Sequence, residues 1–255
     1  MAKILMLLPN EEFDPTEAGV PWRVLRQAGH DVYFATGDGT QARCDQITLS
    51  GEGLNGESLG GMLKSLAAKP DNADIYRQME RDKNFQNPMA WKNVKPDDFG
   101  ALVLPGGHAP GMKPYLESDE VFSICRNFFK REAPVASICH GILALARSKN
   151  AQGQSILHGY QVTGLNNFQE KIAYKMTKKT MGKHYQTYPE TVQDEVSRAL
   201  INPKDFKPGP IYPAFGTAKN PNKGFVVKDR NLITARWPGD VYKLAYGFTQ
   251  MLETV

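Results

Sequence analysis

Two regimes of hydrophobic patterning alternate along the chain. Residues 3–8, KILMLL, form a continuous apolar run closed by Pro9-Asn10, the pattern of a strand buried on both faces. From 15 to 30 the period lengthens: Val20, Val24, Leu25 and Ala28 recur at i, i+4, i+5 and i+8 before Gly29. A helix with a glycine stop is predicted there, with Pro21 near its first turn, where proline costs least. Residues 31–36, DVYFAT, read as a second strand. Strand, helix and strand in that order form a βαβ unit, which implies a parallel sheet and a right-handed crossover.

The same reading extends along the chain. Strands are predicted at 101–107 (ALVLPGG), 134–139 (PVASIC) and 160–164 (YQVTG), and a hairpin over 224–237 turning at Asp229-Arg230-Asn231. Helices are predicted over 118–132, with Ser118 as N-cap, over 140–148 and 187–200, and at the C-terminal end. The fold class is therefore α/β, a doubly wound, mostly parallel, flavodoxin-like sheet. Two stretches do not fit the alternation. Residues 40–97 hold two candidate helices (56–68 and 73–84) and a loop-like stretch (87–99); residues 167–222 are irregular apart from the helix at 187–200. Both are read as cap segments inserted into a single domain spanning 1–255, since a structureless loop of that length inside a compact sheet needs a role.

Composition narrows the class without changing the fold. The 255 residues are 41% hydrophobic and 23% charged, with a formal charge of +4. Lysines gather at 174–185, a local patch rather than a basic tail, so a solvated surface is favoured over nucleic-acid binding. Cys44, Cys125 and Cys139 are an odd count without regular spacing, which argues against a disulfide framework and for a reducing, cytoplasmic setting. The N-terminal apolar run is too short for a signal peptide or a membrane span.

In a doubly wound sheet, ligands bind beyond the carboxyl ends of the strands. Cys139-His140-Gly141 lies at such an end, with Ser137 two residues before the cysteine and Gly141 two after. Small residues at those positions suit a sharp strand-to-helix turn that presents a nucleophile, and the helix N-terminus favours a thiolate. A buried structural cysteine is the competing reading. His140 is a candidate general base or a capping histidine. Gly106-Gly107-His108 ends the preceding strand, and its backbone N–H groups, with that of His140, are candidate oxyanion donors or a plain turn.

These residues together carry a resemblance. EAGVPWRVLRQAGHDV (17–32), DDFGALVLPGGHAPGM (97–112), VASICHG (135–141) and NLITARWPGD (231–240) make the chain similar to the DJ-1/PfpI superfamily, of class I glutamine amidotransferase-like fold. The inserted segments resemble those of its larger, Hsp31-like branch. The resemblance implies that Cys139 is the reactive cysteine and Glu17 the carboxyl group that hydrogen-bonds it, in preference to Glu11 and Glu12. It implies that His140 is the neighbouring histidine and that Glu170 is the acid completing a Cys-His-acid triad, although a surface glutamate is the alternative there. Some Hsp31-like members hold a metal with the Gly-Gly-His histidine and a histidine of the first helix. That helix has no histidine before His30, so no metal or other cofactor is expected, and His108 is expected to line the pocket.

The implied activity is glutathione-independent conversion of methylglyoxal to a hydroxy acid, or deglycation of early sugar-aldehyde adducts, on a small aldehyde substrate and in a homodimer. The alternatives are a holding chaperone or oxidation sensor and, ranked lowest because a cap would keep polypeptides out, an amidohydrolase or peptidase. His184, Tyr185 and Tyr188 are candidate pocket residues or ordinary surface packing.

Overall fold

The computed structural model describes residues 1–52, 67–211 and 214–253. Its main sheet has the order β5-β3-β1-β6-β7-β9-β8. The strands are β1 (Lys3–Leu7), β3 (Asp31–Thr36), β5 (Met89–Ala90), β6 (Ala101–Leu104), β7 (Val135–Ile138), β8 (Val226–Asp229) and β9 (Leu232–Ala235). All neighbours are parallel except β8, which returns antiparallel on β9 through the expected hairpin, with Arg230 at φ 52° in its turn. Two further short strands, β2 (Glu11–Phe13) and β4 (Arg43–Cys44), pair beside the sheet. The central strands are wholly buried apolar runs because helices cover both faces of the sheet.

The helices used below are α1 (Pro15–Gln27), α2 (Gln46–Ser50), α3 (Pro70–Met79), α4 (Asp119–Lys130), α5 (Ile142–Arg147), α6 (Asn167–Met181), α7 (Val192–Ala199) and α8 (Val241–Leu252). Ser118 caps α4 by accepting from Val121 N, as expected. Helix α1 starts earlier than the proline suggested. Asp14 is its N-cap, Pro15 takes the first position, and Pro21 lies inside the helix. Pro21 lacks the N–H that would bond the carbonyl of Glu17 one turn back, so the helix is locally loosened at the very residue that enters the site.

Other elements also differ from expectation. Residues 160–164 form no strand: Val162 makes one isolated bridge to Phe206, and Thr163 N donates to the Thr234 hydroxyl at 2.8 Å. Both edges of β9 are already taken, by β7 and β8, so no ladder is open to this stretch. Met89–Ala90, within the stretch read as a loop, adds an edge strand on β3. Residues 167–181, read as irregular, are a fifteen-residue helix. The helix expected over 56–68 lies almost entirely outside the described residues.

The order of the strands reverses between β1 and β6, the two neighbours reached by opposite crossovers. The crevice this opens lies beyond the carboxyl ends of β1, β6 and β7.

Candidate active site

Glu17, Gly106 and Cys139 follow β1, β6 and β7 in turn and meet in that crevice. Cys139 is fully buried and has φ 57°, a left-handed conformation that L residues other than glycine, Asn and Asp seldom adopt. Such a conformation costs on the order of 1–3 kcal/mol and persists only where the surroundings enforce it. Gly141 shows how they do so. A Cβ there would stand 2.3 Å from the Leu104 carbonyl oxygen and 2.7 Å from that of Pro105, so the turn is pressed against the end of β6.

Gly106 is held by the first crossover on both sides. Its carbonyl accepts from Asp14 N at 2.8 Å, and its N–H donates to Glu17 Oε2 at 2.9 Å. A Cβ on Gly106 would lie 2.8 Å from each of Cys139 Cβ, Glu17 Oε2 and His140 N, so these three groups border one point in space. The Gly106 N–H is engaged by Glu17; of the other two candidate donors, the N–H of Gly107 has no partner among the described residues and that of His140 faces the Cys139 sulfur.

The three residues of the expected triad lie near one another, but no hydrogen bond joins His140 Nε2 to Glu170. Cys139 Sγ lies 3.6 Å from His140 Nδ1, and His140 Nε2 lies 3.8 Å from Glu170 Oε1. Glu170 enters from the first turn of α6, where its Oε2 accepts from Val192 N at 2.9 Å and so ties α6 to the start of α7. Of the competing glutamates, Glu12 points elsewhere: it accepts from Gly111 N at 2.6 Å and faces His184 at 3.9 Å.

Burial dominates the electrostatics. It raises the Glu17 carboxyl well above its usual range, with Asp14 adding to the effect. It raises the Cys139 thiol as well, with Glu17 and Asp14 the next causes. Burial lowers the His140 imidazole and brings that of His108 down to about 4, while it holds Asp14 and Glu170 up at about 7. Burial thus favours the uncharged form of the thiol, the imidazole and the Glu17 carboxyl group, and opposes the thiolate that a helix N-terminus favours. The six-residue helix α5 begins behind a turn of 3₁₀ helix, Cys139–Gly141, so the thiol does not sit at its first residue.

Beside the crevice lies a cavity of about 370 Å³, bordered by Asp14, Thr16 and His108; Cys139, Glu17 and His140 do not line it. Its wall includes Phe168, Ile172 and Met176, which recur at i, i+4 and i+8 along α6, together with Phe215 and Trp237 opposite. That stripe was the signal for α6 in the sequence, obscured by the lysines between its members; it faces the cavity rather than the core. His108 and Tyr185 also line the cavity. Their rings form a chain away from the thiol, with His140 to His108 at 4.8 Å and His108 to Tyr185 at 6.2 Å between centroids. Tyr185 donates to Asp45 Oδ2 at 2.6 Å, joining segments 40–97 and 167–222. Asp45, which also caps α2, and Asp14 are site-bordering carboxyl groups that sequence reasoning did not single out. His184 packs on Tyr185 at 4.9 Å. Tyr188 lies apart from the cavity, bonded to Arg147 and Glu117. Among the described residues, one group has metal-ligating spacing: His108, Cys139 and His140.

An α/β sheet that holds a cysteine on a strained strand–helix turn, beside a histidine and a buried glutamate, defines a class of thiol-bearing crevice proteins. Within it, the chain belongs to the ThiJ/PfpI family-like group, whose family model matches residues 8–210. A protein named as a deglycase from Pyrococcus abyssi is 45% identical over 249 residues, 98% of this chain and 99% of that protein. A glutathione-independent glyoxalase from Schizosaccharomyces pombe is 24% identical over 154 residues, 59% of this chain and 58% of that protein. With several other curated relatives the match spans 54% to 61% of their length. The crystal structure of glyoxalase III from Candida albicans shares the fold, with a TM-score of 0.66 at 18% identity over 98% of this chain and 96% of that one. Among the described residues no helix is long and apolar enough to cross a membrane.

Proposed function

We propose that the chain is a cysteine-dependent enzyme acting on small reactive carbonyls, as a glutathione-independent glyoxalase, a deglycase, or both. The observation that carries this reading is the convergence of Glu17, Gly106, Cys139 and His140 on one point, with Glu170 behind the imidazole. A neutral thiol next to a neutral imidazole suits an uncharged aldehyde. His140 Nδ1 takes the thiol proton as sulfur attacks the aldehyde carbon, and the new alkoxide faces the N–H groups of Gly107 and His140. Protonation of that alkoxide gives a hemithioacetal. With a 2-oxoaldehyde, transfer of the C–H proton through an enediol to the adjacent carbonyl carbon leaves a hydroxyacyl thioester. His140, neutral again once the alkoxide is protonated, takes and returns this proton, and the protonated Glu17 carboxyl group donates a hydrogen bond beside it. Water then releases the hydroxy acid and restores the thiol. The sequence needs no external oxidant or reductant, since the aldehyde carbon is oxidised as its neighbour is reduced.

The same reading takes segments 40–97 and 167–222 as a cap on a single domain, supported by the Tyr185–Asp45 bond between them. The homodimer implied by the resemblance is tested by sedimentation. The decisive assay is lactate formation from methylglyoxal with no thiol cofactor added. Cys139→Ala is expected to lose about three orders of magnitude or more in turnover; equal rates in the two proteins would sink the reading.

A second reading, a holding chaperone, draws on the exposed Phe168, Ile172, Ile211 and Phe215 at the cavity mouth. Suppression of client aggregation that survives Cys139→Ala and fails when those residues are made polar would favour it. An oxidation sensor is less well supported, because a sensing thiol is exposed and of low pKa, whereas Cys139 is fully buried with its thiol raised.

A further inference from the structure

We propose that His108, Cys139 and His140 form a binding site for a soft divalent ion of the zinc class, which holds the thiol in a blocked state. Their ligating atoms all lie within 4.8 Å of one another. The Cys139 Sγ to His140 Nδ1 separation is 3.6 Å. A tetrahedral zinc with its usual bonds to sulfur and imidazole nitrogen sets such an edge at about 3.6 Å, so this pair already has the spacing of two ligands. His108 is the less deeply buried member of the three and has to close by about 1 Å to complete the set.

Two further features favour an ion here. Buried His108 Nε2 has no hydrogen-bond partner, an unusual state for a buried polar atom. The other ring nitrogen of His140, Nε2, faces Glu170 Oε1 at 3.8 Å. That contact makes no hydrogen bond as it stands; on closing to hydrogen-bond distance it would select the tautomer that leaves Nδ1 free for the metal. The set differs from the one considered in the sequence, which needed a histidine in the first helix. It uses no residue of that helix.

Binding replaces the thiol proton by the ion, and the proton passes to solvent. Three protein ligands leave a fourth position for water. Since the nucleophile is itself a ligand, the ion is an inhibitor rather than a cofactor, and it shields the sulfur from electrophiles.

The test is anaerobic titration of the reduced full-length protein with Co²⁺, followed by optical absorption. One ion per chain is expected, with a thiolate-to-cobalt charge-transfer band in the near ultraviolet and the strong visible bands of four-coordinate cobalt, both removed by equimolar Zn²⁺. Cys139→Ser should abolish the charge-transfer band. His108→Ala, or His108→Asn should alanine fail to fold by circular dichroism, should weaken binding at least tenfold. Glu170→Gln should weaken it about tenfold, as for an outer carboxylate. The proposal is overturned if no charge-transfer band appears, if the band survives Cys139→Ser (and so arises from Cys44 or Cys125), or if both His108 variants bind as the parent does. The readout does not involve turnover, so a chain inactive on aldehydes would leave it intact.

Discussion

The thiol chamber and the cavity mouth in front of it are built by different means. In the chamber, backbone does the placing. Gly106 and Gly141 admit no side chain, Cys139 is forced to a positive φ, and the peptide groups of Gly106 grip the first crossover from both sides. At the mouth, side chains from distant segments meet: Tyr185 reaches Asp45 across 140 residues of sequence, and the α6 stripe faces Phe215 and Trp237. A Cβ at Gly106 or Gly141 would meet fixed atoms at once, whereas Phe168 at the mouth is 50% exposed. Reaction chemistry belongs to the rigid part and choice of substrate to the adaptable one.

The sharpest way to break this division is Gly106→Ala. The new methyl would lie 2.8 Å from Cys139 Cβ, Glu17 Oε2 and His140 N at once, and two of those are fixed by the turn. Displacing the thiol from its partners by even about 1 Å should cost about a hundredfold in kcat. KM should change little, because the cavity wall is untouched. Steady-state kinetics would show whether the loss falls on kcat; a raised KM at unchanged kcat would mean that the chamber also selects the substrate.

Glu170 belongs to the boundary between the two regions, and its effect should be smaller and dependent on pH. Burial raises its carboxyl from 4.5 to about 7. Between those values the folded chain holds a proton that the unfolded chain has lost, so stability falls as pH rises through this window and levels off above it. Turnover should run the other way, since ionised Glu170 favours proton uptake by His140 and the rate should climb through about pH 7. Glu170→Gln should remove the rising limb of kcat and lower the plateau about tenfold. In the same variant the decline of thermal midpoint with pH should be shallower but not abolished, because Asp14, also raised to about 7, is still present. A rising limb of kcat unchanged in Glu170→Gln would detach this residue from the chemistry.

This contrast also explains which parts of the protein were legible in the sequence. The chamber could be read because its demands are local: a buried strand must end, a turn needs small residues at 137 and 141, and a glycine pair must follow β6. Glu170 was reached only through the resemblance, since a lone glutamate in a lysine-rich stretch carries no signal of its own. Of the mouth, Tyr185 was among the candidate pocket residues and does line the cavity, while the rest could not be read. The Tyr185–Asp45 bond and the partners of α6 depend on how two long segments pack, and no short-range periodicity records that. Pro21 was misplaced for a related reason. The apolar period of α1 starts at Val20, but Asp14 begins the helix by accepting from the backbone of Thr16 and Glu17. The stretch at 160–164 has strand-like residues but no free edge to join.

The smallest effect is expected at the mouth, and it concerns preference rather than rate. Phe168, Ile172 and Met176 present an apolar wall to a cavity of about 370 Å³, far more room than the methyl group of methylglyoxal fills. A 2-oxoaldehyde with an aryl group, such as phenylglyoxal, can lay its ring on this wall while its aldehyde reaches Cys139. Phe168→Ala should therefore lower kcat/KM for phenylglyoxal by about three- to tenfold and leave methylglyoxal within about twofold, since a partly exposed apolar contact contributes little more than a methylene or two. The loss should appear in KM, with kcat kept, the reverse of the split expected for Gly106→Ala. If both aldehydes lose equally, the wall supports the fold of the cap rather than the side chain of the substrate, and the division of labour between chamber and mouth no longer holds.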